Sequence, residues 1–109
     1  MKEPPADWLR PRFATAGVGA LMSTRAGGVS TGGYASCNLG EAVGDDPAAV
    51  HENRRRFAAA IGGAPTWLRQ VHGRRVLRLP ASAGEPLEAD ACLSTEPGVA
   101  CVIQVADCL

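Results

Sequence analysis

The sequence carries no excess of charge, no long apolar run, no paired cysteine motif and very little histidine. Eleven Lys and Arg balance eleven Asp and Glu over 109 residues, so no net field draws the chain to nucleic acid or to an anionic membrane. A small neutral or mixed-charge ligand suits this balance better. The N-terminal residues Met1-Lys-Glu-Pro-Pro-Ala-Asp7 lead into no apolar signal core, and no run approaches the roughly 18 apolar residues of a membrane span. The expected location is therefore the cytoplasm, with no membrane partner. No CxxC pair is present to build a zinc knuckle. Gly17-Val-Gly19 fails as a dinucleotide fingerprint because Met22 stands where a third glycine is needed, and no GK[ST] follows the glycines of 26–33. Nucleoside triphosphate chemistry is thereby set aside. No repeat or low-complexity tract occurs.

What is present suits one small domain: 46% hydrophobic residues are enough for a core. Residues 1–12, with Pro4, Pro5 and Pro11, read as an irregular lead-in, followed by a strand region from Phe13 to Arg25 interrupted by Gly17 and Gly19. Ala26-Gly-Gly-Val-Ser-Thr-Gly-Gly-Tyr34 holds four glycines in nine residues, a loop that permits positive φ and close approach to a ligand. Asp46 is placed to cap a helix that Pro47 begins and Gly62-Gly63 stop near Ile61. Val50, Phe57 and Ile61 share one face of that helix, and Glu52 stands four residues before Arg56.

Beyond the helix, Thr66–Val71 and Arg75–Leu79 read as two strands joined at His72-Gly73-Arg74, with Leu68, Gln70 and His72 on a common face. Asp90–Ser94 reads as a short strand and Gly98–Ala106 as a longer buried one. The chain then stops at Asp107-Cys108-Leu109, with no covering layer after its most hydrophobic strand, which suggests a truncated domain.

Of the four cysteines, Cys92 and Cys101 lie in apolar strands and read as core residues, while Cys37 sits in a loop with its role open. Cys108 follows Asp107 at the end of a core strand, a place where α/β enzymes present reactive groups, although an inert buried thiol fits as well. His72, at a strand end, can bind metal or act as a base near neutral pH, or can be an ordinary turn histidine. Together the two residues make either a thiolate–imidazole pair or half of a zinc site, and composition does not choose between them. His51 and the run Arg54-Arg55-Arg56 read as a solvated helix face.

Seven blocks resemble the YfiH-like family, also known as laccase-domain or polyphenol-oxidase-like. They are Met22-Ser-Thr-Arg-Ala-Gly-Gly-Val-Ser30, Asn38-Leu-Gly40, Val43-Gly-Asp-Asp-Pro47, Asn53-Arg54, Trp67-Leu-Arg-Gln-Val-His-Gly73, Ala89-Asp-Ala91 and Ala106-Asp-Cys-Leu109. The most specific signal is the order QVHG and then ADCL.

The resemblance implies an α/β fold with a mixed sheet and flanking helices, of which residues 13–109 form the N-terminal part, ending after a core strand. It implies a zinc-dependent enzyme acting on purine nucleosides and phosphate: phosphorolysis of adenosine, inosine, guanosine and methylthioadenosine, together with adenosine deamination. By the same resemblance, His72 and Cys108 are catalytic zinc ligands, and a further histidine lies downstream of this sequence. Arg25 and Asn38, in matching blocks around the glycine loop, are implied as contacts to phosphate or ribose, with pinning of that loop as their structural alternative. Multicopper oxidation asks for many histidine ligands, and two are present. The competing readings are an inactive fragment of the family and a metal-free hydrolase using Cys108 with His72.

Overall fold

A computed structural model describes residues 4–106. They fall into two compact units divided between Gly62 and Gly63. The class is α/β: helix α1 (Pro47–Ile61) belongs to the first unit, and strands β1 (Ala64–Thr66), β2 (Val76–Arg78), β3 (Ala91–Leu93) and β4 (Val99–Cys101) to the second. No described helix is long and apolar enough to cross a membrane.

Helix α1 forms where its capping residues predict. The Asp46 side chain accepts a hydrogen bond from the Ala48 amide, and Pro47 occupies the first turn, where its missing N–H costs nothing. Gly62 ends the helix in the left-handed region at φ 73°, a conformation glycine adopts without steric penalty. Val50, Asn53, Phe57 and Ala60 are the buried face. Trp8 packs beside Phe57, with ring centroids 6.0 Å apart, and donates its indole N–H to the Ala26 carbonyl at 2.8 Å. A tryptophan of the lead-in is thus a core residue.

The expected strand over Phe13–Arg25 does not form. Gly17 takes φ 80° and turns the chain, so that pairing is confined to one antiparallel bridge between Leu9 and Met22, with Phe13 and Val18 left exposed.

In the second unit the strands pair in parallel, β1 with β4 and β2 with β3. Their registers align Ala64 with Val99 and Leu77 with Cys92. Leu68, Leu77, Leu79 and Ala89 form the aliphatic core, with Ala81, Cys92 and Val99 packed against it. Burying a leucine of this kind stabilises by about 1.5–3 kcal/mol.

The hairpin expected across residues 72–74 is replaced by these parallel pairs, because the backbone there is engaged elsewhere. The Arg69 amide donates to the Leu87 carbonyl, and the Ala89 amide donates to the Arg69 carbonyl. The amides of Val71, His72 and Gly73 all donate to the Asp90 side chain. The strand expected over Gly98–Ala106 shortens to Val99–Cys101, since its partner β1 ends at Thr66 and the ladder ends with it. Ile103 and Val105 are 46% and 49% exposed.

Candidate functional site

His72 is an exposed residue in the left-handed region, at φ 59°. That conformation costs a non-glycine residue about 1–3 kcal/mol. Asp90 stabilises it. One carboxylate oxygen accepts from the His72 amide at 2.8 Å, and the other accepts from Val71 at 3.1 Å and Gly73 at 2.9 Å. Three successive N–H groups converging on one acceptor form a concavity suited to negative charge. These bonds, Gly73's foremost, hold the Asp90 carboxyl below its ordinary range, assisted weakly by the nearby His72.

Asp90 is itself well mounted. It follows buried Ala89 and precedes β3, whose partner β2 carries the most enclosed leucine, Leu77. Two residues before His72, Gln70 spends both ends of its amide on Gln104: its nitrogen donates to the Gln104 carbonyl at 3.0 Å, and its oxygen accepts from the Gln104 amide at 2.8 Å. This side chain substitutes for the strand ladder that β1 does not continue. It fastens the segment bearing His72 to the backbone four residues before Cys108 in sequence. Cys108 lies outside the described residues.

In the first unit the glycine loop is built around Asn53, which is fully buried. Its oxygen accepts from the Val29 amide at 2.8 Å, and its nitrogen donates to the Ser30 hydroxyl at 2.9 Å and the Asn38 carbonyl at 2.8 Å. Ser30 passes the network on by donating to Asp45 at 2.6 Å, the contact that does most to lower the Asp45 pKa. Gly28 has no room for a side chain, because a Cβ there would run into the Ser36 carbonyl oxygen, the Cys37 backbone and the Asn53 side chain.

The two implied substrate contacts belong to this loop. The Asn38 nitrogen donates to the Gly40 carbonyl and to Asp45, and its oxygen accepts from the Gly40 amide, so its amide pins the loop. Arg25 is exposed and donates its Nε to the Ala35 carbonyl at 3.0 Å. Arg55 and Arg56 lie on the solvated face expected of them, whereas the Arg54 side chain is largely covered. Arg54 pairs with Glu41 at 2.6 Å, and Arg55 and Arg56 both pair with Glu52. The Arg54 Nε donates to the Leu39 carbonyl at 2.8 Å, and partial burial lowers its pKa, an effect that Glu41 partly offsets. His51 is exposed, as a solvated face requires.

Among the described cysteines, all free, Cys37 is buried, Cys92 half-buried and Cys101 exposed. Burial raises the Cys37 pKa, an effect that Arg56 partly offsets. Burial, followed by its neighbour Cys101, raises that of Cys92. Cys101 is therefore not the core residue expected: β4 has β1 as its partner but leaves this side chain uncovered. No three His, Cys, Asp or Glu side chains among the described residues converge as a metal site. An exposed imidazole on a fixed backbone is chemically able to bind a metal ion such as zinc.

Asp90 and Asn53 are the residues that sequence reasoning passed over. Both stand inside the quoted blocks, but a lone acid before a strand and a lone amide on a helix carry no pattern that distinguishes them from surface residues.

Comparison with known proteins places this geometry in context. A family model described as multi-copper polyphenol oxidoreductase laccase matches residues 19–109. A purine nucleoside phosphorylase of Pseudomonas aeruginosa is 50% identical over 103 residues, covering 94% of this chain and 42% of that protein. The purine nucleoside phosphorylase YfiH of Escherichia coli is 46% identical over 105 residues, with the same coverage of 94% and 42%. The crystal structure of a Neisseria meningitidis protein superposes with a TM-score of 0.85 at 40% identity, covering 94% of this chain and 43% of that one. The chain thus spans less than half the length of the relatives it matches.

Proposed function

This chain belongs to the multi-copper polyphenol oxidoreductase laccase family, and we propose that it supplies the His72 side of a zinc site at which purine nucleosides undergo phosphorolysis. The observation that carries this reading is the His72 loop: an exposed imidazole on a backbone fixed by Asp90, in a chain whose relatives bear the name purine nucleoside phosphorylase. The substrates are inosine, adenosine, guanosine and methylthioadenosine with phosphate, and adenosine is also deaminated. Three free thiols among the described cysteines accord with work in the reducing cytoplasm.

In phosphorolysis a phosphate oxygen bonds to C1′ of the sugar while the bond from C1′ to the purine nitrogen breaks, and the purine leaves with a proton. Bound zinc, held by His72 and Cys108 with a further ligand, would supply Lewis acidity for orienting phosphate or, in deamination, for activating water. Arg25 keeps an exposed guanidinium beside the glycine loop, where it offers charge to phosphate or a donor to ribose. Asn38 acts through the loop, by keeping Gly40 and Asp45 in place.

The test is zinc content together with inosine phosphorolysis on the intact protein, beside His72→Ala. The expected result is about one zinc per site, lost in the variant together with a fall in turnover of about 100-fold or more. Turnover that survives chelation and is abolished by a thiol reagent would replace this reading with the metal-free hydrolase.

A further inference from the structure

We propose that Asp90 is a positioning residue for His72, setting the backbone from which the imidazole reaches the reacting centre. The inference rests on the reading of His72 given above and goes beyond it by assigning a function to a carboxylate that touches neither metal nor substrate in that reading. Three observations carry it. The carboxylate accepts all three amides of Val71, His72 and Gly73, and the shortest of these bonds is the one to His72. His72 is the one non-glycine residue at positive φ among the described residues, although a glycine stands next to it at position 73. A turn that needed only a left-handed residue would place the glycine there; a histidine held in that conformation points to a requirement for its side chain. Finally, Asp90 joins directly to β3 and the aliphatic core, so the loop takes its rigidity from the sheet rather than from its own exposed residues.

Asp90→Asn tests the role selectively. The introduced amide has one accepting oxygen, which can keep the bonds from Val71 and Gly73 while its nitrogen faces the His72 amide as a second donor. The bond to His72 is the one lost. Zinc affinity by chelator competition, kcat and KM for inosine, and amide hydrogen exchange of the metal-free protein at 71–73 are measured for the intact parent, Asp90→Asn and His72→Ala.

Asp90→Asn is expected to lower zinc affinity and kcat by about 10–100-fold, with KM little changed and with faster exchange at the His72 amide. Zinc affinity and kcat within about twofold of the parent, while His72→Ala loses both, would overturn the proposal and leave the His72 reading standing. A His72→Ala protein that keeps zinc and turnover removes the reading and the proposal together. If Asp90→Asn does not fold, Asp90→Glu takes its place, keeping the charge and both oxygens one methylene further out. Zinc affinity and kcat reduced in a protein that melts like the parent support the proposal, and parental values of both overturn it.

Discussion

The unit before Gly63 and the unit after it fix irregular backbone in opposite ways. In the first, a buried polar centre does so: Asn53, enclosed on helix α1, bonds to Val29, Ser30 and Asn38, and Ser30 extends the network to Asp45. In the second, the enclosed residues are aliphatic, and polar anchors hold the irregular backbone between the strands: Asp90, directly before β3, and Gln70, four residues after β1. Removing a buried amide leaves its partners desolvated and unpaired, whereas truncating a buried leucine loses area and leaves a cavity. The first unit should therefore be sensitive to a polar deletion and the second to an apolar one.

The largest effect expected from this contrast is at Leu77, 1% exposed in the core of the second unit. Leu77→Ala should destabilise by about 3 kcal/mol, seen as a lowered urea midpoint and as faster amide exchange concentrated in residues 63–106. Exchange rising chiefly in residues 4–62 instead would break the comparison. Asn53→Ala comes next, at about 2 kcal/mol, because the Val29 amide and the Asn38 carbonyl lose their partner. Its mark is exchange gained at Val29 and in the glycine loop, and an unchanged urea midpoint would show that the polar centre is not what holds this unit.

The smallest effect sharpens the electrostatics of α1. Hydrogen bonds from Arg55 and then Arg56 hold Glu52 at about 2, against an ordinary value of 4.5. A depressed carboxylate pKa means that the native state binds this proton more weakly than the unfolded chain does. The stabilisation is complete above about 4.5 and is lost as pH falls toward about 2. Glu52→Gln should flatten the acid limb of the unfolding profile in that window. Some slope will remain, since Asp45 and Asp90 are shifted in the same direction. An acid limb identical to the parent's would mean that the Arg55 and Arg56 contacts are too screened by solvent to matter.

The bounds of helix α1 were legible, from the Asp46 cap to the Gly62 stop, because capping is local; of its expected face, Val50 and Phe57 are buried, but Ile61 is half-buried and Asn53 and Ala60 are enclosed in its stead. The position of β3 was legible too: the short strand read over Asp90–Ser94 forms at Ala91–Leu93. The hairpin was not, because strand pairing depends on partners distant in sequence: the amides at 71–73 went to Asp90, some 18 residues away in the chain. Trp8 was assigned to the lead-in on account of its neighbouring prolines, yet Phe57 and the Ala26 carbonyl gave it a buried place. For the proposed site, the blocks that carry the family resemblance nominated His72, Cys108, Arg25 and Asn38, of which Cys108 lies outside the described residues. They did not show that the Asn38 amide also bonds to Gly40 and Asp45 of its own loop.

By itself, then, the amino-acid sequence determined the family, the α/β class and the one long helix, each of which is written in residue types at short, fixed spacing. Tertiary structure alone decided which strands pair, that Asn53 is the buried centre of the glycine loop, and that a carboxylate at position 90 holds His72 in a conformation its own chemistry disfavours. These are contacts between residues far apart in the chain, and their energies depend on enclosure and direction, which no local pattern records.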